Sequence, residues 1–227
     1  MPKRNLRALN PERIPALPAG DGLPPVPPDR LTPDMVRLRF SQPADWQPEP
    51  PLGVTLVDRP PACAAVLVPL VVRDRLTVLL TRRNDCLRDH AGQISFPGGR
   101  AEPVDADAAA TALREAEEEI GLPADRVEVI GSLPVYATVS AYLVTPVVAL
   151  VRPGFAVRLD SGEVTEVFEV PLDYLMQPDH HYRHAFEESG QHGQFYSMPW
   201  EGGDGRCYFI WGATAAMLRN LYRFLAA

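Results

Sequence analysis

FPGGRAEPVDADAAATALREAEEEIGL, residues 96–122, is the stretch whose reading decides the fold of this chain. It divides into a glycine turn, a short acidic loop and a helix. At 100° per residue, Ala109, Leu113, Ala116 and Ile120 fall on one narrow stripe expected to face a core. Glu115, Glu118 and Glu119 are related by i+3 and i+4 and are expected outside, on the opposite face. Asp105 or Asp107 can cap the start of the helix. Gly121 stands where a helix ends in a positive φ, and Pro123 stops any continuation. Three like charges on one turn repel, and taken alone they read as solvated surface. A hard divalent cation turns that repulsion into binding, because Mg²⁺ takes carboxylates, waters and phosphates as ligands. Gly98 and Gly99 add bare backbone that can approach a cation or a phosphate closely. Together the two features favour a cation site.

Gly99 followed by Arg114-Glu115-Ala116-Glu117-Glu118-Glu119-Ile120-Gly121-Leu122 resembles the Nudix box, G-x5-E-x7-R-E-U-x-E-E-x-G-U. The second half matches at every fixed position. In the first half, 14 residues separate Gly99 from Arg114, one more than the box has, and no Glu lies at either register. Asp105 fits when counted forward from Gly99, whereas counting back from Arg114 reaches Ala106. One inserted residue accounts for the difference.

Composition sets the frame around this motif. A chain of 227 residues, 46% hydrophobic, suits one domain with an extension and a real core. A net charge of −7 argues against a nucleic-acid partner, since such binders are usually basic. An anionic substrate would therefore need cations or local arginines at its site. Cys63, Cys86 and Cys207 are scattered, with no C-x-x-C spacing, and read as free thiols of a reducing cytoplasm. Lys3, Arg4 and Arg7 are followed by prolines where a signal peptide needs an apolar run. The apolar run 62–72 is too short to cross a bilayer and contains Pro69, so a soluble protein is expected.

Residues 1–60 are expected to be a proline-rich extension: 15 of the 25 prolines lie before residue 62, and PALPAGDGLPPVPPDR reads as extended chain. A short helix is expected over 33–40, capped by Thr32. Residue order leaves three arrangements open for this leader: wrapped on the body, paired with a second copy in a homodimer, or disordered. Over 61–227 the pattern predicts strands at 62–72 and 76–82 joined at Arg73-Asp74-Arg75, then the acidic helix. Further strands are expected at 127–133, 143–151 and 166–170, followed by a helical turn after Pro171 and a hairpin over 180–199. A last strand at 207–211 and a helix over 212–225 complete the pattern. A mixed β-sheet between helices is the natural α/β assembly, and it resembles the Nudix α/β/α sandwich.

The segment before the turn narrows the resemblance. LLTRRNDCLRDHAGQISFPGG resembles L-L-T-x-R-[SA]-x3-R-x3-G-x3-F-P-G-G, the signature of the coenzyme A pyrophosphatase branch of the Nudix family. Leu79, Leu80, Thr81, Arg83, Arg88, Gly92, Phe96, Pro97, Gly98 and Gly99 all match, and Asn84 is the one departure. That branch also tends to carry an IWGATA-like segment before its last helix, present here at 210–215. The resemblance implies a metal-dependent hydrolase that cleaves coenzyme A, and possible acyl forms of it, to 3′,5′-ADP and 4′-phosphopantetheine. It implies Mg²⁺ or Mn²⁺ held mainly by Glu115 and Glu119 with Glu118 assisting, and with a backbone carbonyl at Gly98 or Gly99. It also implies substrate contacts from Arg83, Arg88, Gly98 and Gly99. Guanidinium groups suit a substrate with a diphosphate and a separate 3′-phosphate. Arg82 and Arg83 should point to opposite faces of their strand, so one of them at most reaches the ligand. Arg114, one turn before Glu118, is expected to orient a carboxylate. By the resemblance the general base comes either from the box itself or from a later loop, where Glu163 and Glu166 are candidates; His90 is expected to be a loop histidine, and His180, His181, His184 and His192 are expected at the surface. Two other readings are a Nudix pyrophosphatase for another nucleoside diphosphate derivative, such as ADP-ribose or NADH, and a non-catalytic ligand sensor on the same fold.

Overall fold

A computed structural model describes residues 10–20, 22–50, 52, 60–188 and 191–227. Lys3, Arg4 and Arg7 lie outside the described residues, as does 53–59, the end of the expected extension. The leader contributes strand β1 (Ala16–Pro18) and helix α1 (Pro33–Ser41). Then follow β2 (Ala62–Val72), β3 (Leu76–Arg83), β4 (Ile94–Ser95), β5 (Gly98–Arg100) and α2 (Ala108–Ile120). After α2 come β6 (Val127–Ser132), β7 (Tyr136–Ala137), β8 (Tyr142–Val151), β9 (Val164–Pro171) and the short α3 (Leu172–Leu175). The hairpin β10 (Tyr182–Glu188) and β11 (Gln191–Glu201), then β12 (Cys207–Trp211) and α4 (Gly212–Ala226), close the chain.

Strands β2 and β8 carry apolar residues at almost every position, and β3 does so over residues 78–80, the mark of strands buried on both faces. Alternation divides them between two cores. Val68, Leu70, Val78, Leu80, Val148 and Leu150 face one layer, while Leu67, Val71, Leu79, Val147 and Ala149 face the other. The sheet is mixed: β2 runs parallel to β8 and antiparallel to β3 and β5, and β3 pairs antiparallel with β9. Helix α2 covers one face through Ala112, Ala116 and Ile120. Helix α4 covers the other through Ala215, Leu218, Leu221 and Leu225, together with the antiparallel sheet β1-β10-β11-β12. The result is the expected α/β/α sandwich.

Within α2 the buried stripe is rotated from the expected one. Ala112, Ala116, Glu119 and Ile120 are buried, whereas Ala109 and Leu113 are only partly so. The axis of burial lies near position 116 and runs toward 112 and 119, which draws Glu119 inside rather than leaving it on the outer face. The close approach of β5, described below, is the cause.

Among the described residues the leader wraps the body. Strand β1 pairs with β10, and the Val26 N–H donates to the Met176 carbonyl at 3.2 Å. Thr32 caps α1 as expected, accepting from the Met35 N–H at 3.4 Å. Phe40 and Trp46 pack on Phe224 of α4, with ring centroids 4.5 and 5.4 Å away. Arg219 of α4, 2% exposed, donates to the Ala19 carbonyl at 2.7 Å and to Glu49 at 3.0 Å. Extended, proline-rich chain leaves backbone carbonyls unpaired, and the buried guanidinium satisfies one of them.

Two histidines expected at the surface are buried: His181 at 0% and His184 at 2% exposure. Both sit where the leader crosses the second sheet, a long-range contact that local spacing does not encode. His184 bridges the Ile14 carbonyl and the Ser197 hydroxyl at 2.9 and 2.7 Å. His181 donates from Nε2 to the Leu175 carbonyl at 2.8 Å and accepts from Arg219 at Nδ1 at 3.1 Å, which fixes a neutral tautomer. Burial, followed by the charges of Arg219 and His180, pushes its pKa down to about 4 against the opposing bond to Leu175. The unfolded imidazole takes its proton near 6.5, so between these values the unfolded chain binds more protons and stability falls as pH falls. Urea denaturation between pH 7.5 and 4.5 should show a loss of up to roughly 3 kcal/mol from this group. His181→Gln should flatten that slope above pH 5.5, whatever its own starting stability.

Candidate active site

The site begins where α2 lies against β5. Gly98, at φ +156°, pairs with Val66 of β2, and a Cβ there would meet the Ala65 carbonyl oxygen at 2.5 Å. At Gly99 a Cβ would meet the Glu115 carboxyl carbon at 2.5 Å. Only glycine lets the turn and the helix come this close. Asp107 is the N-cap of α2, accepting from the Ala110 N–H at 2.8 Å, and Gly121 ends the helix in the left-handed conformation at φ 68°.

From this contact the three carboxylates grade from inside to outside. Their side-chain exposures are 4% for Glu119, 15% for Glu115 and 60% for Glu118. Glu119 accepts from the Gly98 N–H at 3.2 Å and stands 3.7 Å from Arg83. Burial pushes its pKa up to about 8; the Gly98 N–H and Arg83 oppose the rise, and the charges of Glu163 and Glu115 add to it. Burial also raises Glu115, against the pull of Arg114. In both, burial is the largest cause, because it disfavours the charged carboxylate.

Arg114 is clamped on both sides. Its Nε and Nη2 donate to the two Asp105 oxygens, each at 3.0 Å, and Nη2 also reaches the Arg100 carbonyl at 3.2 Å. Its Nη1 then donates to Glu115 at 2.9 Å and Glu118 at 3.0 Å. The expected contact with Glu118 is therefore present, and Glu115 and Asp105 extend it. Asp105 also accepts from the Thr111 hydroxyl at 2.9 Å and the Glu102 N–H at 2.8 Å. The bonds from Arg114 first, and from Glu102 next, hold its carboxyl well below the usual range, and Asp105 in turn raises Arg114. Asp105 thus occupies the place that the forward count from Gly99 assigned, and the extra residue before Arg114 accommodates its position. Among the described residues no three His, Cys, Asp or Glu groups already form a metal-holding cluster. Arg114 engages one oxygen of both Glu115 and Glu118.

The signature loop folds onto this helix from the other side. Arg83 faces Glu119, while Arg82 turns away to Asp85 at 3.1 Å. Arg88 is exposed on the loop, and His90 contacts Gln93 at 2.9 Å as an ordinary loop histidine. Asn84, the one departure from the signature, ties this loop to the segment before β9. Its N–H donates to the Glu163 carbonyl at 2.8 Å and its amide to the Ser161 carbonyl at 2.7 Å. Of the two candidate bases, Glu163 is exposed and its charge is felt at both Glu115 and Glu119. Glu166 is committed elsewhere, accepting from the Tyr208 hydroxyl at 2.7 Å and paired with Arg206 at 2.8 Å. Sequence reasoning missed Arg100, which lines an open cavity of about 740 Å³ together with Glu102, Pro103 and Glu115. Its place directly after the glycine pair was the available signal.

Asp105 and Asp107 are two residues apart and do different work. Asp105→Ala should free Arg114 and lower turnover by about 10- to 100-fold, the usual effect of removing a group that orients a site carboxylate. Asp107→Ala removes only the helix cap and should cost about 1 kcal/mol of stability with turnover retained. Steady-state kinetics with thermal denaturation on both variants checks the contrast; equal kinetic losses would contradict it.

Comparison with known proteins bears on the whole arrangement. A model of the NUDIX domain matches residues 61–189. "Uncharacterized Nudix hydrolase NudL" of Photorhabdus laumondii subsp. laumondii is 42% identical over 159 residues, 70% of this chain and 82% of the relative. The protein of the same name from Escherichia coli K12 is 42% identical over 158 residues, 70% of this chain and 80% of the relative. A solved structure of a C. elegans Ap4A hydrolase binary complex is 21% identical with a TM-score of 0.41, covering 49% of this chain and 81% of that one. With the family model spanning more than half of the chain and these relatives covered over most of their length, the chain belongs to the Nudix hydrolase family.

Proposed function

We propose that this Nudix pyrophosphatase hydrolyses the diphosphate bond of coenzyme A, and of acyl-coenzyme A, to 3′,5′-ADP and 4′-phosphopantetheine. One observation carries the reading: Arg83, from the signature segment, stands 3.7 Å from Glu119 of the acidic helix, so the two motifs share one site. The donor set suits a hard divalent cation, Mg²⁺ or Mn²⁺. Glu119 is buried, Glu115 half-shielded beside a glycine that leaves no Cβ in the way, and every candidate ligand is an oxygen. Glu115 and Glu119 would hold the ion, with Glu118 assisting and the Gly99 carbonyl adding a further oxygen. When bound, such an ion neutralises the diphosphate and lowers the pKa of a water.

The chain's own groups then do the rest. Arg83 and Arg88 bind phosphate oxygens through paired N–H donors, and Arg88 takes the 3′-phosphate. Arg114 keeps Glu115 and Glu118 in place from its anchor on Asp105. The Glu163 carboxylate is the better placed of the two candidates to take a proton from the attacking water. Among the described residues no helix is long and apolar enough to cross a membrane, and the three exposed, unpaired cysteines suit a reducing cytoplasm.

Incubation with Mg²⁺ or Mn²⁺ and, separately, coenzyme A, ADP-ribose and NADH, with products identified by mass, tests the substrate. Adenosine 3′,5′-bisphosphate from coenzyme A is expected, and preferential turnover of ADP-ribose would overturn the assignment. Glu119→Gln should abolish turnover with an unchanged circular dichroism spectrum; near-normal activity would contradict its role. Arg88→Ala should hurt coenzyme A about ten-fold or more beyond dephospho-coenzyme A, as expected for a lost charge-assisted contact. Equal losses on both substrates would remove the 3′-phosphate contact.

A further inference from the structure

Arg83 ends β3 at an irregularity: the pairing with β9 shifts register between Arg82 and Arg83. The extra residue, Thr165, lies on β9, and β3 keeps its alternation, so Arg83 follows Leu79 onto the face that α2 covers. There its guanidinium makes a loose contact. Its Nη1 is 3.7 Å from Glu119 Oε1, beyond hydrogen-bond distance, and its buried Nε has no partner among the described residues. The other arginine of the site behaves differently, since Arg114 meets Asp105 through two bonds of 3.0 Å. Arg73 likewise grips Glu169 with bonds of 3.1 and 2.6 Å. The carboxylate opposite Arg83 accepts a single hydrogen bond among the described residues, from the Gly98 N–H. A buried carboxylate and a buried guanidinium N–H are thus close, unequally satisfied, and not locked together.

We propose that Arg83 is an internal counter-cation for Glu119, which it shields in the ion-free protein and releases when a divalent cation is taken up, freeing its guanidinium for the substrate diphosphate. The inference rests on the reading of the acidic helix as a divalent-cation site. A buried carboxylate needs a compensating charge, and Arg83 is the cation facing Glu119. A bidentate clamp like that on Asp105 would compete strongly with an incoming ion, whereas a contact without a hydrogen bond yields easily. The unpaired Nε then gains an acceptor once a phosphate oxygen arrives, which satisfies a group the ion-free protein leaves unpaired. Arg83 in this role couples occupancy by the ion to readiness for substrate.

Mn²⁺ binding without substrate tests the idea, followed by electron paramagnetic resonance of the free ion in wild type, Arg83→Gln and Arg83→Lys. Removing the competing charge should tighten Mn²⁺ binding in Arg83→Gln by roughly five-fold or more. Arg83→Lys keeps the charge and should stay near wild type. In turnover of coenzyme A, Arg83→Gln should raise KM more than it lowers kcat. Arg83→Met, which keeps the apolar stem, repeats the measurement if Arg83→Gln fails to fold. Unchanged or weaker Mn²⁺ binding in the neutral variants, with wild type binding normally, would overturn the counter-cation role and leave the proposed function standing. Absence of Mn²⁺ binding in wild type would overturn both.

Discussion

The whole site depends on how closely α2 approaches the peptide of Gly98 and Gly99. A side chain at 99 would occupy the space of the Glu115 carboxyl, and one at 98 would run into the backbone of β2. Because neither is there, the helix settles with Glu119 against the Gly98 N–H and its buried stripe turned toward the sheet. The gradient of the three carboxylates follows from that one contact, as each step around the helix carries the next carboxylate further from the sheet. Burial of negative charge against a bare peptide creates the demand for a cation that the rest of the site is arranged around.

Two arginines answer that demand in different ways. Arg114 is saturated, with donors spent on Asp105, Glu115, Glu118 and a carbonyl, and it works as a rigid brace. Arg83 is under-used, with a buried Nε unpaired and a long contact to Glu119. A clamped guanidinium fixes geometry, whereas a loosely held one can change partners at low cost. The division suits a chain of net charge −7 that handles an anionic substrate, because the positive charge it needs is concentrated at one place.

On the far face of the sheet the leader and α4 make a second polar assembly with another purpose. Arg219 joins Ala19, Glu49 and His181 beneath the crossing of leader and body, with the rings of Tyr196 and Tyr222 each 5.6 Å from its guanidinium carbon. These hydrogen bonds satisfy its buried charge, the condition under which such a group is tolerated. This assembly lies on the α4 side of the sheet, whereas the acidic helix packs on the other side.

Residue order alone determined the motif and its surroundings. It placed the acidic helix with Asp105 or Asp107 as its cap and its stop at Gly121, the strands at 62–72 and 76–82, the hairpin over 180–199 and the signature segment bearing Arg83. These are local patterns, written in periods of two and 3.6 residues and in glycine positions, and a local pattern needs no partner to be read. Only the tertiary structure decided which carboxylate goes inside, that Asp105 braces Arg114 across the inserted residue, that Asn84 stitches two loops, and that His181 and His184 are buried. Three of these depend on a second segment distant in sequence: β5 for Glu119, the 161–163 segment for Asn84, the leader for the histidines. Burial and pairing are properties of two surfaces in contact, and a periodicity describes only one of them.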